Sequence, residues 1–171
     1  MLAALLSVAF AAVEPTSVIG IVRVLGPAQS RTIEVAIADD TQVIVKGDLK
    51  EEIAQCQSLK VEILGVVTDG TMDVNLYRVI DVGDGVKPFV GVLVRVQDRL
   101  ALRDAEVEGV AGDTPLSMSP KVLRKLLPQA GAKVWVAATK LVSGELKITK
   151  YGILRKPPPR AGAPGAQGDE Q

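Results

Sequence analysis

The sequence predicts an all-β protein with one short helix per module, arranged as two tandem barrels of five strands each. Three observations predict it. The stretch Ile19-Gly-Ile-Val-Arg-Val24 returns later as Val90-Gly-Val-Leu-Val-Arg-Val96, so the chain reads as a duplication. Hydrophobic residues make up 47% of the 171 residues but aromatics only 3%; the core must come from Val, Ile, Leu and Ala, which in short alternating runs favour strands. In each half, three strand-like runs precede one helical run and two strand-like runs follow it.

In the first module, residues 17–85, Val18–Leu25 alternates as a strand with Val18, Val22 and Val24 on one face and Arg23 on the other. Gly20 interrupts the valine face, as a glycine does at a bulge or sharp coil. Gly26-Pro27 turns the chain. Ile33, Val35 and Ile37 supply the inward face of a second strand. Asp39-Asp40-Thr41 turns again, and Val43 with Val45 faces inward on a third.

Asp48-Leu-Lys-Glu51 then reads as a capping box that opens a short helix. Leu49, Ile53 and Cys56 share one face of it, which makes Cys56 a small buried apolar residue rather than a reactive thiol. Val61, Ile63 and Val67 mark the fourth strand, Asp69-Gly70 a hairpin turn, and Met72, Val74 and Leu76 the fifth.

The second module, residues 87–156, repeats the order. Phe89–Val96 is its first strand, Leu100 with Leu102 starts the second, and the third falls near Leu116 and Met118. Ser119-Pro120 is an N-cap followed by proline at the first helical position. Val122, Leu123, Leu126 and Leu127 form the apolar helix face, and Pro128 with Gly131 ends it. Val134 with Val136, then Leu146 with Ile148, complete the set. Trp135 alternates with Val134 and Val136 and so faces the other way. Subtraction sets the two strand arginines, Arg23 and Arg95, 72 apart and the two glycines, Gly20 and Gly91, 71 apart, one position out of step.

Three strands, a helix and two strands in a module of about 70 residues resembles the OB-fold, a five-stranded Greek-key barrel with its helix between the third and fourth strands. The resemblance covers residues 17–156, twice over, and rests on element order, the first-strand glycine and the helix position. With an apolar leader in front, the chain resembles the periplasmic bacterial OB-fold proteins, small exported barrels associated with stress tolerance and with binding of small or cationic ligands. The tandem copy departs from their usual single domain, and no site residue carries over.

That leader is residues 1–12, free of charged side chains and too short to span a bilayer. It fits the apolar region of a signal peptide with Ala9-Phe10-Ala11 as the cleavage site, although a basic start is missing. The expectation is a periplasmic or secreted protein. Residues 157–171, rich in Pro, Gly and Ala, read as a disordered tail.

The chemistry available is narrow. The chain has no histidine and one cysteine, which removes the commonest general base, any internal disulfide and any thiolate cluster. No catalytic residue, metal ligand set or cofactor is assigned. Asp81 and Asp84 carry oxygen ligands, but loop capping accounts for such a pair more simply.

Charge is distributed unevenly. The net charge is zero, yet residues 1–86 hold six Lys/Arg against twelve Asp/Glu (6 − 12 = −6), and residues 87–171 fourteen against eight (14 − 8 = +6). Between Lys121 and Arg160 stand ten Lys/Arg and one acid, Glu145. The candidate contact residues are therefore Lys121, Arg124, Lys125, Lys147 and Lys150, a cationic surface.

These observations predict a non-catalytic binding or envelope-associated protein, not membrane-spanning, whose partner is an anionic envelope component or another protein. One alternative is a single-stranded nucleic-acid-binding protein using the basic second module, although only Trp135 and Tyr151 are there to stack bases. Another is a structural subunit self-associating through oppositely charged modules.

Overall fold

A computed structural model describes residues 14–38, 41–103 and 112–159. The leader, the Asp39-Asp40 part of the predicted turn, residues 104–111 and the tail from Arg160 lie outside the described residues. The protein is mostly β. The chain divides into two compact units between Arg78 and Val79.

In the first unit, β1 (Thr16–Leu25), β2 (Thr32–Ala38), β3 (Thr41–Lys46), the helix α1 (Lys50–Ala54), β4 (Lys60–Thr68) and β5 (Thr71–Asp81) follow in that order, β5 continuing into the second unit. The strands form one five-stranded sheet in the ring order β1-β2-β3-β5-β4, with β3 and β5 parallel. β1 serves two neighbours: Thr16–Ile21 pair with β4 and Ile21–Leu25 with β2. Gly20 sits at this changeover because a Cβ there would overlap the Ala36 carbonyl and the Val35 side chain. Val22, Ile33, Val35, Val45, Val61 and Ile63 fill the interior.

The second unit repeats the plan with β6 (Phe89–Val96), β7 (Arg99–Arg103), β8 (Thr114–Ser117), α2 (Pro120–Leu126), β9 (Lys133–Lys140) and β10 (Leu146–Arg155). Its sheet is a closed barrel, β10-β8-β7-β6-β9, in which every adjacent pair is hydrogen-bonded and β10 pairs with β9 to complete the ring. Leu93, Leu100, Leu102, Leu126, Val134 and Val136 lead its core. α2 opens as its sequence indicates: the Ser119 hydroxyl accepts from the Val122 amide, and Pro120 occupies the first turn.

Several local expectations are corrected. Ile37 is exposed, because a register shift between Ala36 and Ala38 on β2 breaks the alternation that Ile33 and Val35 begin. On β5 the inward phase passes from Met72 and Val74 to Tyr77 and Val79, leaving Leu76 outside at 57% exposure. Val67, near the end of β4, is also exposed. The capping box does not form. α1 is capped at Leu49 without a side-chain bond, and the Glu51 carboxylate instead pairs with Arg31.

The register of the duplication is set by the glycines. Gly20 faces Val61 on β4, and Gly91 faces Val134 on β9, so the two occupy the same place in their units. The arginines do not correspond: Arg23 faces Glu34, whereas Arg95 faces Leu100 one step further along. The structural counterpart of Arg23 is Val94.

Pro157 and Pro158, at the start of the expected tail, lie against Gly131, where a Cβ would stand 3.4 and 3.5 Å from them.

Candidate functional site

All five predicted cations are exposed. Lys121, Arg124 and Lys125 lie on α2 at spacings of three and four, which puts them on one helix face. Arg124 and Lys125 occupy the last turn, where positive charge favours the helix C-terminus. Lys147 and Lys150 lie on β10. Three residues apart, they would point to opposite faces of a regular strand. A register shift between Ile148 and Lys150 brings them onto the same outer face, Lys147 opposite Thr139 and Lys150 opposite Ala137. The Thr149 hydroxyl donates to the Ala137 carbonyl at 3.0 Å within that shift. Lys150 also stands 3.7 Å from the Asp84 carboxylate. The structure thus gathers the cations into a helix trio and a strand pair.

The outer face that holds Lys147 and Lys150 also carries Trp135. Its indole lies over Gly152, the residue opposite it on β10; any Cβ there would collide with Nε1 and the ring carbons. Trp135 is 9% exposed, so little of the ring is open to a stacking base. Tyr151 packs against the barrel core instead. Asp81, one of the two loop acids, accepts from the Gly83 and Gly85 amides at 2.7 and 3.2 Å and so caps its own loop. Cys56 is buried, its thiol 3.7 Å from the Glu52 carbonyl.

A second surface was not singled out from the sequence. The outer face of β1 in the first unit presents Ile19, Ile21 and Leu25 at 46%, 49% and 48% exposure, and β3 adds the exposed Ile44. Arg23 lies in the same row, and across the pairing from it on β2 stands Glu34, itself beside Ile44 on β3. Glu34 is only 8% exposed although it points away from the core. Among the described residues neither the Arg23 nor the Glu34 side chain forms a hydrogen bond or ion pair. The signal was present in the run Val18-Ile-Gly-Ile-Val22, apolar in both phases of a strand, where a face exposed to water normally alternates to polar residues.

The equivalent face of the second unit is different. Through the glycine register, Ile19, Ile21 and Arg23 correspond to Val90, Val92 and Val94, Glu34 to Ala101, Ile44 to Pro115 and Glu62 to Trp135. No charge remains at these positions. Ala101 and Trp135 are buried, at 3% and 9%. The two faces differ: the second unit's buries Ala101 and Trp135 and carries Lys133 opposite Val92, whereas the first unit's sets Arg23, Glu34, Lys60 and Glu62 among exposed isoleucines.

Elsewhere on the second unit, the Arg103 guanidinium holds Asp113 through two bonds of 2.8 and 2.9 Å. Those hydrogen bonds, and secondarily the charge itself, keep the Asp113 carboxyl below its ordinary value of 3.8, against an opposing effect of burial. Among the described residues no helix is long and apolar enough to cross a membrane. Comparison of the chain with protein-family models, curated proteins and solved structures returns no match.

Proposed function

We propose that this chain is an exported, non-catalytic binding protein built of two tandem OB-like barrels, which meets its partner through the outer face of β1–β3 in the first unit. One observation carries the reading: that face sets half-exposed isoleucines around Glu34, a residue only 8% exposed whose side chain has no hydrogen-bond or ion-pair partner among the described residues. Exposed apolar surface costs free energy that a partner would recover. OB barrels use the outer surface of their second and third strands for recognition, and Glu34 and Ile44 lie on those strands here. The strand ring and the helix between the third and fourth strands support the OB-like assignment. Export rests on the apolar leader and bacterial origin on the family resemblance.

Two measurements test it. Expression in a bacterial host, followed by fractionation and intact mass, should find a product outside the cytoplasm and shortened by the leader; a full-length cytoplasmic product removes the export part. Calorimetric titration of the wild type and Ile21→Asp with envelope glycans, anionic vesicles and basic peptides should give binding that the variant loses. Equal behaviour of the two proteins against every probe and in self-association would overturn the binding face.

A second reading, single-stranded nucleic-acid binding, draws on Lys147 and Lys150 sharing a face with Trp135. Affinity for an oligonucleotide that falls steeply with salt and with Lys147→Gln/Lys150→Gln would favour it. The low exposure of Trp135 weighs against it.

A further inference from the structure

We propose that the second unit carries a docking surface for an anionic phospholipid bilayer, formed by the tip of the β9–β10 hairpin with the cations of α2 and β10. It shares no residue with the β1–β3 face of the first unit.

The ion pairs of the second unit single out these cations. Among its described acids, Asp84 pairs with Lys150, Asp98 with Arg95, Asp113 with Arg103 and Glu145 with Arg99. Asp81 caps its own loop through the Gly83 and Gly85 amides. Every described acid is thus engaged. The exposed side chains of Lys121, Arg124, Lys125 and Lys147 have no hydrogen-bond or ion-pair partner among the described residues. α2 also lacks an acid in its first turn, where one would favour the helix N-terminus. Lys87 and Lys156, likewise without a partner among the described residues, lie before β6 and after β10.

The topology brings the four cations to one end of β10. Ser117 on β8 stands opposite Lys147, two residues before the Ser119 cap of α2. Lys147 therefore sits at the foot of the helix that carries the other three. The hairpin turn starts from the same place, with Lys140 opposite Leu146. It is closed by the Leu141 amide donating to the Glu145 carbonyl at 2.8 Å and the Gly144 amide to the Leu141 carbonyl at 2.9 Å. Val142, at its tip, is the most exposed large apolar side chain among the described residues.

Cations beside a projecting aliphatic tip match a bilayer better than a soluble anion. A soluble polyanion would pair with the cations and leave Val142 in water. A single-stranded nucleic acid would need aromatic rings for its bases, and residues 117–129 and 140–147 contain none. An anionic bilayer takes both features. The cations meet the negative surface at headgroup level, and the tip enters the boundary between headgroups and acyl chains.

Co-sedimentation of the full chain with vesicles of phosphatidylglycerol and phosphatidylcholine tests this. Wild type should bind them, should bind phosphatidylcholine alone far less, and should be released by salt. Lys147→Gln and Arg124→Gln should each weaken binding about fivefold, and Val142→Asp at least as much. The apolar leader is common to all these proteins, so the differences report the docking surface. All three positions are exposed, and the variants should keep the wild-type melting temperature. A polarity-sensitive fluorophore on Val142→Cys, the native Cys56 being buried, should shift to the blue on anionic vesicles. Absence of binding to phosphatidylglycerol vesicles overturns the proposal. Binding unchanged by Val142→Asp, with no fluorophore shift, also overturns it, since charge alone then accounts for adsorption. Ile21→Asp should bind vesicles as wild type does; if it loses them instead, lipid meets the first unit's face, and this inference falls while that reading stands.

Discussion

The Tyr77 hydroxyl donates to the Glu52 carboxylate at 2.7 Å inside the first unit, tying the middle of β5 to α1. Both residues are buried, at 9% and 6% exposure. The contact depends on the change of phase along β5, which turns Leu76 outward and Tyr77 inward. Tyr77→Phe keeps the ring and removes the donor, leaving a buried carboxylate with one partner fewer. We expect a loss of about 1–3 kcal/mol in denaturant unfolding. An unchanged midpoint would show that Glu52 draws its support elsewhere.

Trp135 is the chain's one tryptophan, so its emission reports the outer face of β9 and β10 directly. Gly152→Ala pushes a Cβ into the indole. The expected result is a red-shifted spectrum, from an indole lifted toward water, with destabilisation of about 1–3 kcal/mol. A spectrum identical to wild type would mean that the ring does not rest on Gly152.

Thr114 is fully buried at the start of β8, and its hydroxyl has no hydrogen-bond partner among the described residues. Thr114→Val replaces that oxygen with a methyl group of similar size. Stability should rise by about 1 kcal/mol, read as a higher melting temperature, while Thr114→Ser, which keeps the hydroxyl and loses the methyl, should lower it. A less stable valine variant would reveal a partner for the hydroxyl.

The pairing of Arg103 with Asp113 makes stability depend on pH in a defined direction. Because the folded Asp113 value lies below its ordinary 3.8, the carboxylate's contribution is fully present above that value and is lost as pH falls through the lowered folded one. Arg103→Gln should return the Asp113 titration, followed by NMR, toward 3.8 and flatten the acid limb of the stability curve. A titration that does not move on substitution would dissociate the shift from Arg103.

Much of the architecture was legible because local rules act within one segment. The order of elements, the inward faces of Val22, Val35, Leu100 and Leu102, the burial of Cys56 and the Ser119 cap all follow from alternation, helical spacing and capping chemistry. The five cations were legible as exposed, but only in part as a surface. Lys147 and Lys150 share a face because β10 carries a register shift, and no count along one strand contains that shift.

The sequence by itself determined the two-module duplication, the strand-rich composition and the absence of histidine chemistry. Tertiary structure decided what lies between strands. A bulge adds a residue relative to a neighbour, so the outward turn of Ile37 is a property of the β2–β3 pair. The matching of Gly20 with Gly91, rather than of Arg23 with Arg95, follows from what each opposes across β4 and β9. Glu34 was one acid among twelve in its half of the chain. Its nearly complete burial comes from β1 and β3 flanking β2. Desolvation is set by neighbours distant along the chain, and alternation along a single strand carries no record of them.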